Sequence, residues 1–270
     1  MNRELYLKNK EDMNIYCYIR KPENAKAVLV MMHGLGESVD SFFYGADILY
    51  QAGIATYCPE HRGHARSDGD RAYYDDVDQI TDDFDLTVQL ALKENPLLPV
   101  FLYGHSMGGY TVSLYAAKHP DLRIAGILTS GAVVEDNQGV FRGVEKNLDL
   151  HKQLMNTFTT EICTVEERVR EFRENPMSTL FSTPGLAYTL CEGMDWLAEH
   201  MQDIQYPIFM THGGEDPIVS VQDTYNYFKK VGSKDKEMKI YGGCHHAIFH
   251  EFCRDEVFAD YITWICKRIW

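Results

Sequence analysis

Residues 100–117 read Val-Phe-Leu-Tyr-Gly-His-Ser-Met-Gly-Gly-Tyr-Thr-Val-Ser-Leu-Tyr-Ala-Ala. Val100 to Tyr103 is a short apolar run with a β-branched start, and Met107 to His119 has helical spacing with small residues on one side. Gly104-His105-Ser106-Met107-Gly108 joins the two with no spacer, which predicts a strand, a sharp turn and a helix. Such a turn drives its central residue toward positive φ, so Ser106 is expected to be strained and the flanking glycines to admit neighbouring backbone. The hydroxyl would then stand clear of the sheet at a helix N-terminus, where free N–H groups favour developing negative charge. A five-residue pattern also occurs by chance in inert loops. The rest of the chain therefore has to supply a base, an acid and a second oxyanion donor.

The chain has 270 residues, enough for one large α/β domain or a core with an insertion. Its formal charge of -14, from 26 basic and 40 acidic residues, argues against nucleic acid or an anionic membrane as main partner. Cys17, Cys58, Cys163, Cys191, Cys244, Cys253 and Cys266 are odd in number and show no C-x-x-C spacing, so reduced thiols in a cytoplasmic protein are expected. The N-terminus is charged where a signal peptide would be apolar. No run approaches the ~18 apolar residues of a membrane span, so no integral membrane segment is predicted.

Outward from the turn, Leu5 to Leu7 and Ile15 to Ile19 alternate around Asn9-Lys10-Glu11-Asp12 and read as an edge hairpin. Ala27 to Met32 is apolar on both faces, as in a covered parallel strand, and runs into His33-Gly34-Leu35-Gly36-Glu37. The glycines around Leu35 would let its N–H point above the strand ends and form an oxyanion hole with Met107 N–H. His33 is expected to be a structural hydrogen-bonder. Ser38 to Gln51 has helical spacing and Ile54 to Tyr57 is the next strand. The His- and Arg-rich loop at residues 59–69 reads as cross-linked by side-chain hydrogen bonds, because no third metal ligand stands at a diagnostic spacing. Ile80 to Glu94 is amphipathic, with Asp82, Asp83 and Asp85 expected on a solvated helix start.

After a strand at Ile124 to Thr129 the alternation breaks. Residues 135–205 show only helical stretches, at 147–155, 164–174 and 186–201, and read as a lid set over the carboxyl edge of the sheet. Met155, Phe158, Met177, Leu180, Phe181, Leu186, Leu190, Met194, Trp196, Leu197 and Met201 divide between the lid's own core and an acyl pocket, and the sequence does not say how. The division expected is 1–134 and 206–270 for the core and 135–205 for the lid. Strands resume at Ile208 to Met210 and Met238 to Tyr241, with a helix at 221–231 and a last one running to Trp270.

Asp216, just past a strand end and fixed by Pro217, is preferred over Glu215 as the acid that orients a histidine, the alternative being a turn-capping role. His245, His246 and His250 leave the base ambiguous. His246 and His250 mimic a zinc pair, but the following glutamate is out of place for a metalloprotease.

Serine, acid, histidine, each just after a strand, is the order of the α/β-hydrolases. The chain resembles the monoacylglycerol lipase and lysophospholipase branch of that fold along nearly its whole length. The matching segments are His33 to Glu37, Arg62-Gly63-His64 to Ser67-Asp68-Gly69, Gly104 to Gly109, Asn175-Pro176, Gly213 to Asp216, and Gly243 to His246 before His250-Glu251. That resemblance implies a mostly parallel sheet with helices on both faces and a helical cap. It implies Ser106, Asp216 and His246 as a triad, with Leu35 and Met107 as oxyanion donors. It further implies hydrolysis of a small-molecule ester with an acyl chain, without metal or organic cofactor, and transient contact of the cap with lipid. His250 departs from the branch pattern, and the lid matches least. An esterase for other small acyl or aryl esters, a peptidase of the same fold and a non-catalytic binding protein are the alternatives.

Overall fold

The computed structural model describes residues 2–269. The chain opens with an antiparallel hairpin, β1 (Asn2–Lys8) and β2 (Asn14–Arg20), closed by Asn9, whose side chain accepts from the N–H groups of Glu11 and Met13. There follow β3 (Ala27–Met32), α1 (Phe43–Gln51), β4 (Ile54–Pro59), α2 (Val77–Glu94), β5 (Val100–His105), α3 (Met107–Lys118) and β6 (Gly126–Ser130). Beyond β6 lie β7 (Leu154–Met155), α4 (Glu166–Glu174), β8 (Phe181–Ser182) and α5 (Pro184–His200), and then β9 (Ile208–Gly213), α6 (Val221–Lys230), β10 (Lys236–Tyr241) and α7 (Arg254–Cys266).

Eight strands form one sheet in the order β1-β2-β4-β3-β5-β6-β9-β10, antiparallel through β1, β2 and β4 and parallel from β4 onward. Strands β3 and β5 are buried at every position, which is why they read as apolar runs, whereas the edge strand β10 is partly exposed. Their side chains alternate: Val28, Val30, Val100 and Leu102 pack toward α2, α3 and α5, while Leu29, Met31, Phe101 and Tyr103 pack toward α1 and α7. Two cores thus clamp β3 and β5 from both sides, and the carboxyl ends of these strands carry the loops of interest.

The structure departs from the sequence expectation in three places. Residues 147–155 are not helical: Asn147 takes φ +67°, the Asp149 carboxylate accepts the His151 N–H at 3.0 Å, and the segment ends in β7, paired with β8. The local Asx turn outcompetes the helix its spacing suggested. Second, α2 begins at Val77 behind the cap of Asp76, a turn earlier than expected, so Asp83 lies inside the helix. It is buried and paired with Arg62 (2.6 Å), while Asp82 and Asp85 bond Lys10 and Tyr115. Third, α7 ends at Cys266, and Trp270 lies outside the described residues.

Candidate active site

Ser106 sits between the end of β5 and the start of α3 with φ 53° and ψ −118°, a conformation costly for any residue with a Cβ. The glycines enforce it. A Cβ on Gly104 would lie 2.1 Å from Gly108 O, and one on Gly108 would lie 2.2 Å from Met32 O, so β3, β5 and α3 approach only because both are glycine. Ser106 N–H donates to Ser130 O at 2.9 Å, which fixes the turn to β6. Ser106 Oγ takes part in no hydrogen bond among the described residues, and the residue lines a cavity together with Gly34, Leu35, His105 and His246.

His246 donates from Nδ1 to Asp216 Oδ2 at 2.7 Å, with both side chains almost wholly buried. With the carboxylate as acceptor, Nδ1 carries the proton and the Nε2 lone pair is left to act as a base. Burial alone would raise the Asp216 pKa, but His246 and His212 face the carboxylate and hold it well below the usual range. Oδ1 of the same residue accepts from Ile218 N–H (2.8 Å) and Val219 N–H (3.0 Å). The two roles weighed for Asp216, turn cap and histidine partner, are therefore filled at once by its two oxygens.

Among the three clustered histidines, only His246 lines the cavity with Ser106. His245 turns its ring to Glu161 O at 3.2 Å and borders a different surface groove. His250 borders a groove with Arg168 and Arg254, and burial together with these two cations pushes its pKa down to about 3.

The loop after β3 is braced around Leu35. Gly34 N–H donates to Glu37 Oε2 at 2.7 Å, Glu37 N–H donates to Gly34 O at 3.2 Å, and Gly36 adopts φ +79°. Among the described residues no hydrogen bond uses Leu35 N–H, and Met107, as the first residue of α3, has no intrahelical acceptor for its own. Beneath the loop, His33 Nε2 accepts from His61 N–H and His61 Nε2 donates to His33 O, so the structural role expected for His33 is the one observed. Burial lowers the pKa of both rings, to about 3 for His33, so they are neutral spacers.

The sequence reading missed three contributors. His212, at the end of β9, lies with Nε2 2.9 Å from Asp216 Oδ2 and Nδ1 2.7 Å from Thr224 Oγ1. Its only sequence signal was a histidine four residues ahead of the chosen acid. Glu37 lines the cavity beside Ser106, and burial pushes its carboxyl up to about 7. Thr179 N–H donates to Gly36 O at 2.9 Å and so ties the segment between α4 and α5 to the loop after β3.

The remaining cavity wall is apolar: Val133, Val140, Phe141, Phe158, Phe172 and Ile218 are among its residues. Of the aromatic and flexible residues expected to divide between lid core and pocket, Phe158 faces this cavity, whereas Leu186, Leu190, Met194, Leu197 and Met201 are buried in the main core. The space open inside is about 30 Å³, enough for a water or two.

A mostly parallel sheet between helices, with a strained serine after β5, an aspartate after β9 and a histidine after β10, defines an α/β-hydrolase. A family model described as Hydrolase_4, serine aminopeptidase S33, matches residues 23–252, and the chain belongs to that family. It is similar to a monoacylglycerol lipase of Mycolicibacterium smegmatis, 28% identical over 90% of this chain and 89% of the relative, and to the human monoglyceride lipase, 26% identical over 97% and 90%. A caffeoylshikimate esterase of Arabidopsis thaliana is 24% identical over 90% of this chain and 79% of the relative. The crystal structure of a soluble variant of the Saccharomyces cerevisiae monoglyceride lipase in complex with a substrate analogue superposes with a TM-score of 0.88 at 21% identity, covering 100% of this chain and 97% of that one. That likeness establishes the shared fold.

Proposed function

We propose that the protein is a serine ester hydrolase acting on monoacylglycerol-type lipids, with Ser106 as nucleophile, His246 as general base and Asp216 as its orienting carboxylate. The observation that carries this reading is the 2.7 Å contact from His246 Nδ1 to Asp216 Oδ2 on the cavity that holds Ser106. In the first half-reaction Ser106 Oγ attacks the ester carbonyl as its proton passes to His246 Nε2, and the charge on the carbonyl oxygen is met by the N–H groups of Leu35 and Met107. His246 then protonates the departing alcohol. Water enters, gives its proton to the same nitrogen, and hydrolyses the acyl-enzyme. None of these steps calls for a metal or organic cofactor.

The lipid substrate is supported by the apolar wall and by the names of the relatives. Residues 135–205 act in this reading as a cap. Val140, Phe141 and Phe158 continue from the inner cavity into an outer groove that also holds Leu154 and Met155. Met155 (68% exposed) lies on that groove and Leu150 (44%), five residues before it, adds apolar surface to the same segment, where transient contact with a lipid surface would deliver substrate. No helix among the described residues is long and apolar enough to cross a membrane. The seven thiols, unpaired as disulfides, support a reducing, cytoplasmic setting.

The family description makes an aminopeptidase the second reading. Among the described residues Glu37 is the one acid on the cavity wall, and one of its oxygens is occupied by Gly34 N–H, which leaves little to hold a substrate ammonium. Turnover across monoacylglycerols, lysophospholipids, short p-nitrophenyl esters, hydroxycinnamate esters and amino-acid anilides separates the readings. Monoacylglycerols are expected to lead, and anilide turnover exceeding ester turnover would reverse the assignment.

A further inference from the structure

Cys244 Sγ and Cys253 Sγ lie 3.1 Å apart, at the two ends of the segment that presents His246. A disulfide holds its sulfurs about 2.0 Å apart, so the pair is about 1 Å short of bonding. Both ends of the segment are anchored. Cys244 is fully buried behind the Gly243 turn (φ +70°), and Cys253 caps the N-terminus of α7, accepting from Val257 N–H at 3.1 Å. Between them Ala247 N–H donates to Ile162 O at 2.7 Å, and Glu251 accepts from the N–H groups of His245 and Thr164.

We propose that Cys244 and Cys253 form a peroxide-driven, reversible disulfide that displaces His246 and switches the hydrolase off. Cys253 is the half-buried, accessible partner and reacts first. Its thiolate attacks one oxygen of hydrogen peroxide, the O–O bond breaks, and the second oxygen leaves as hydroxide, which takes up the proton the Cys253 thiol released to become water, giving a sulfenic acid. Cys244 sulfur then attacks the Cys253 sulfur, the S–O bond breaks, and hydroxide takes up the Cys244 proton to leave as a second water. Two thiols are oxidised by two electrons and one peroxide is reduced to two waters. Burial pushes the Cys244 thiol above its ordinary value, consistent with its acting second. Closing the gap pulls on an anchored segment, and His246 is two residues from Cys244. A shift of that order at a reacting group lowers turnover on the order of 10- to 100-fold.

Trypsin releases both cysteines in one methionine-free peptide, Ile240 to Arg254. After peroxide treatment and blocking of free thiols, that peptide is expected to lose the mass of two hydrogens and to take up no blocking group. Ester turnover should fall at least about tenfold and return with dithiothreitol. Cys253→Ser should keep its turnover through the same treatment, and Cys244→Ala is the second variant should serine at 253 disturb α7. A peptide that still takes up two blocking groups, a cross-link with unaltered turnover, or equal loss in Cys253→Ser each overturns the proposal. The activity arm rests on the ester-hydrolase reading, whereas the peptide mass does not, so the failures of the two are distinguishable.

Discussion

His212 Nε2 lies 2.9 Å from Asp216 Oδ2, with both side chains fully removed from solvent. The same oxygen takes the His246 proton donor, so His212 acts on the proposed base through the carboxylate they share. Replacing His212 with Ala removes the imidazole that lies against this buried carboxylate and whose Nε2 also bonds Val219 O at 2.9 Å. We expect kcat to fall roughly 10- to 100-fold with little change in KM, and His212→Gln, which keeps a donor, to recover part of it. Equal losses in the two variants would mark a role in packing alone.

Ser106→Ala should abolish ester turnover and labelling by a fluorophosphonate probe while the protein stays folded. Ser106→Gly should be equally inactive yet about 1 kcal/mol more stable than Ser106→Ala, because glycine accepts φ 53° without Cβ strain and that relief outweighs its larger unfolded-state entropy. Urea unfolding of the two variants measures the difference, and a less stable glycine variant would show that the serine turn is not strained.

Glu37 predicts a pH dependence of stability. Its folded pKa of about 7 stands above the ordinary 4.5, so the native state retains a proton that the unfolded chain has released between those values. The contribution of this group is complete below pH 4.5 and is lost as pH rises to 7, on the order of 3 kcal/mol. Glu37→Gln, which can still accept from Gly34 N–H, should flatten the fall in unfolding free energy over that window. Parallel profiles for the two proteins would refute the assignment.

Leu150 and Met155 offer a test of interfacial contact. Leu150→Asp with Met155→Asp should lower turnover on monoacylglycerol in vesicles by about tenfold or more, since each side chain withdrawn from water contributes about 1.5 to 3 kcal/mol. Turnover of a soluble short-chain ester should change less than about twofold. Equal loss on both substrates would place these residues in folding or in the pocket.

The sheet was legible because parallel strands buried on both faces must be apolar throughout, and the runs at β3, β5 and β9 have no other ready reading. Ser106 and Asp216 were legible for a related reason: glycine and proline beside them announce the backbone each requires. Phe172 was not. It stands in α4, whose charged residues read as a solvated helix, yet it reaches the cavity wall. Asp83 misled in the same way, since nothing local reveals that Arg62, twenty-one residues earlier, comes back to neutralise it. Contacts made across the sheet leave no periodic trace in the chain.

The hydrogen bond from Thr179 N–H to Gly36 O joins the segment between α4 and α5 to the loop after β3, one residue beyond Leu35. A Cβ on Gly36 would stand 2.4 Å from Thr179 O, so segment and loop touch there backbone to backbone with nothing between them to yield. A movement of the Thr179 segment would be passed to the Leu35 amide, the proposed oxyanion donor. On the proposed mechanism, admission of a guest and readiness for chemistry would be geared to one another through two residues of backbone, Gly36 and Leu35.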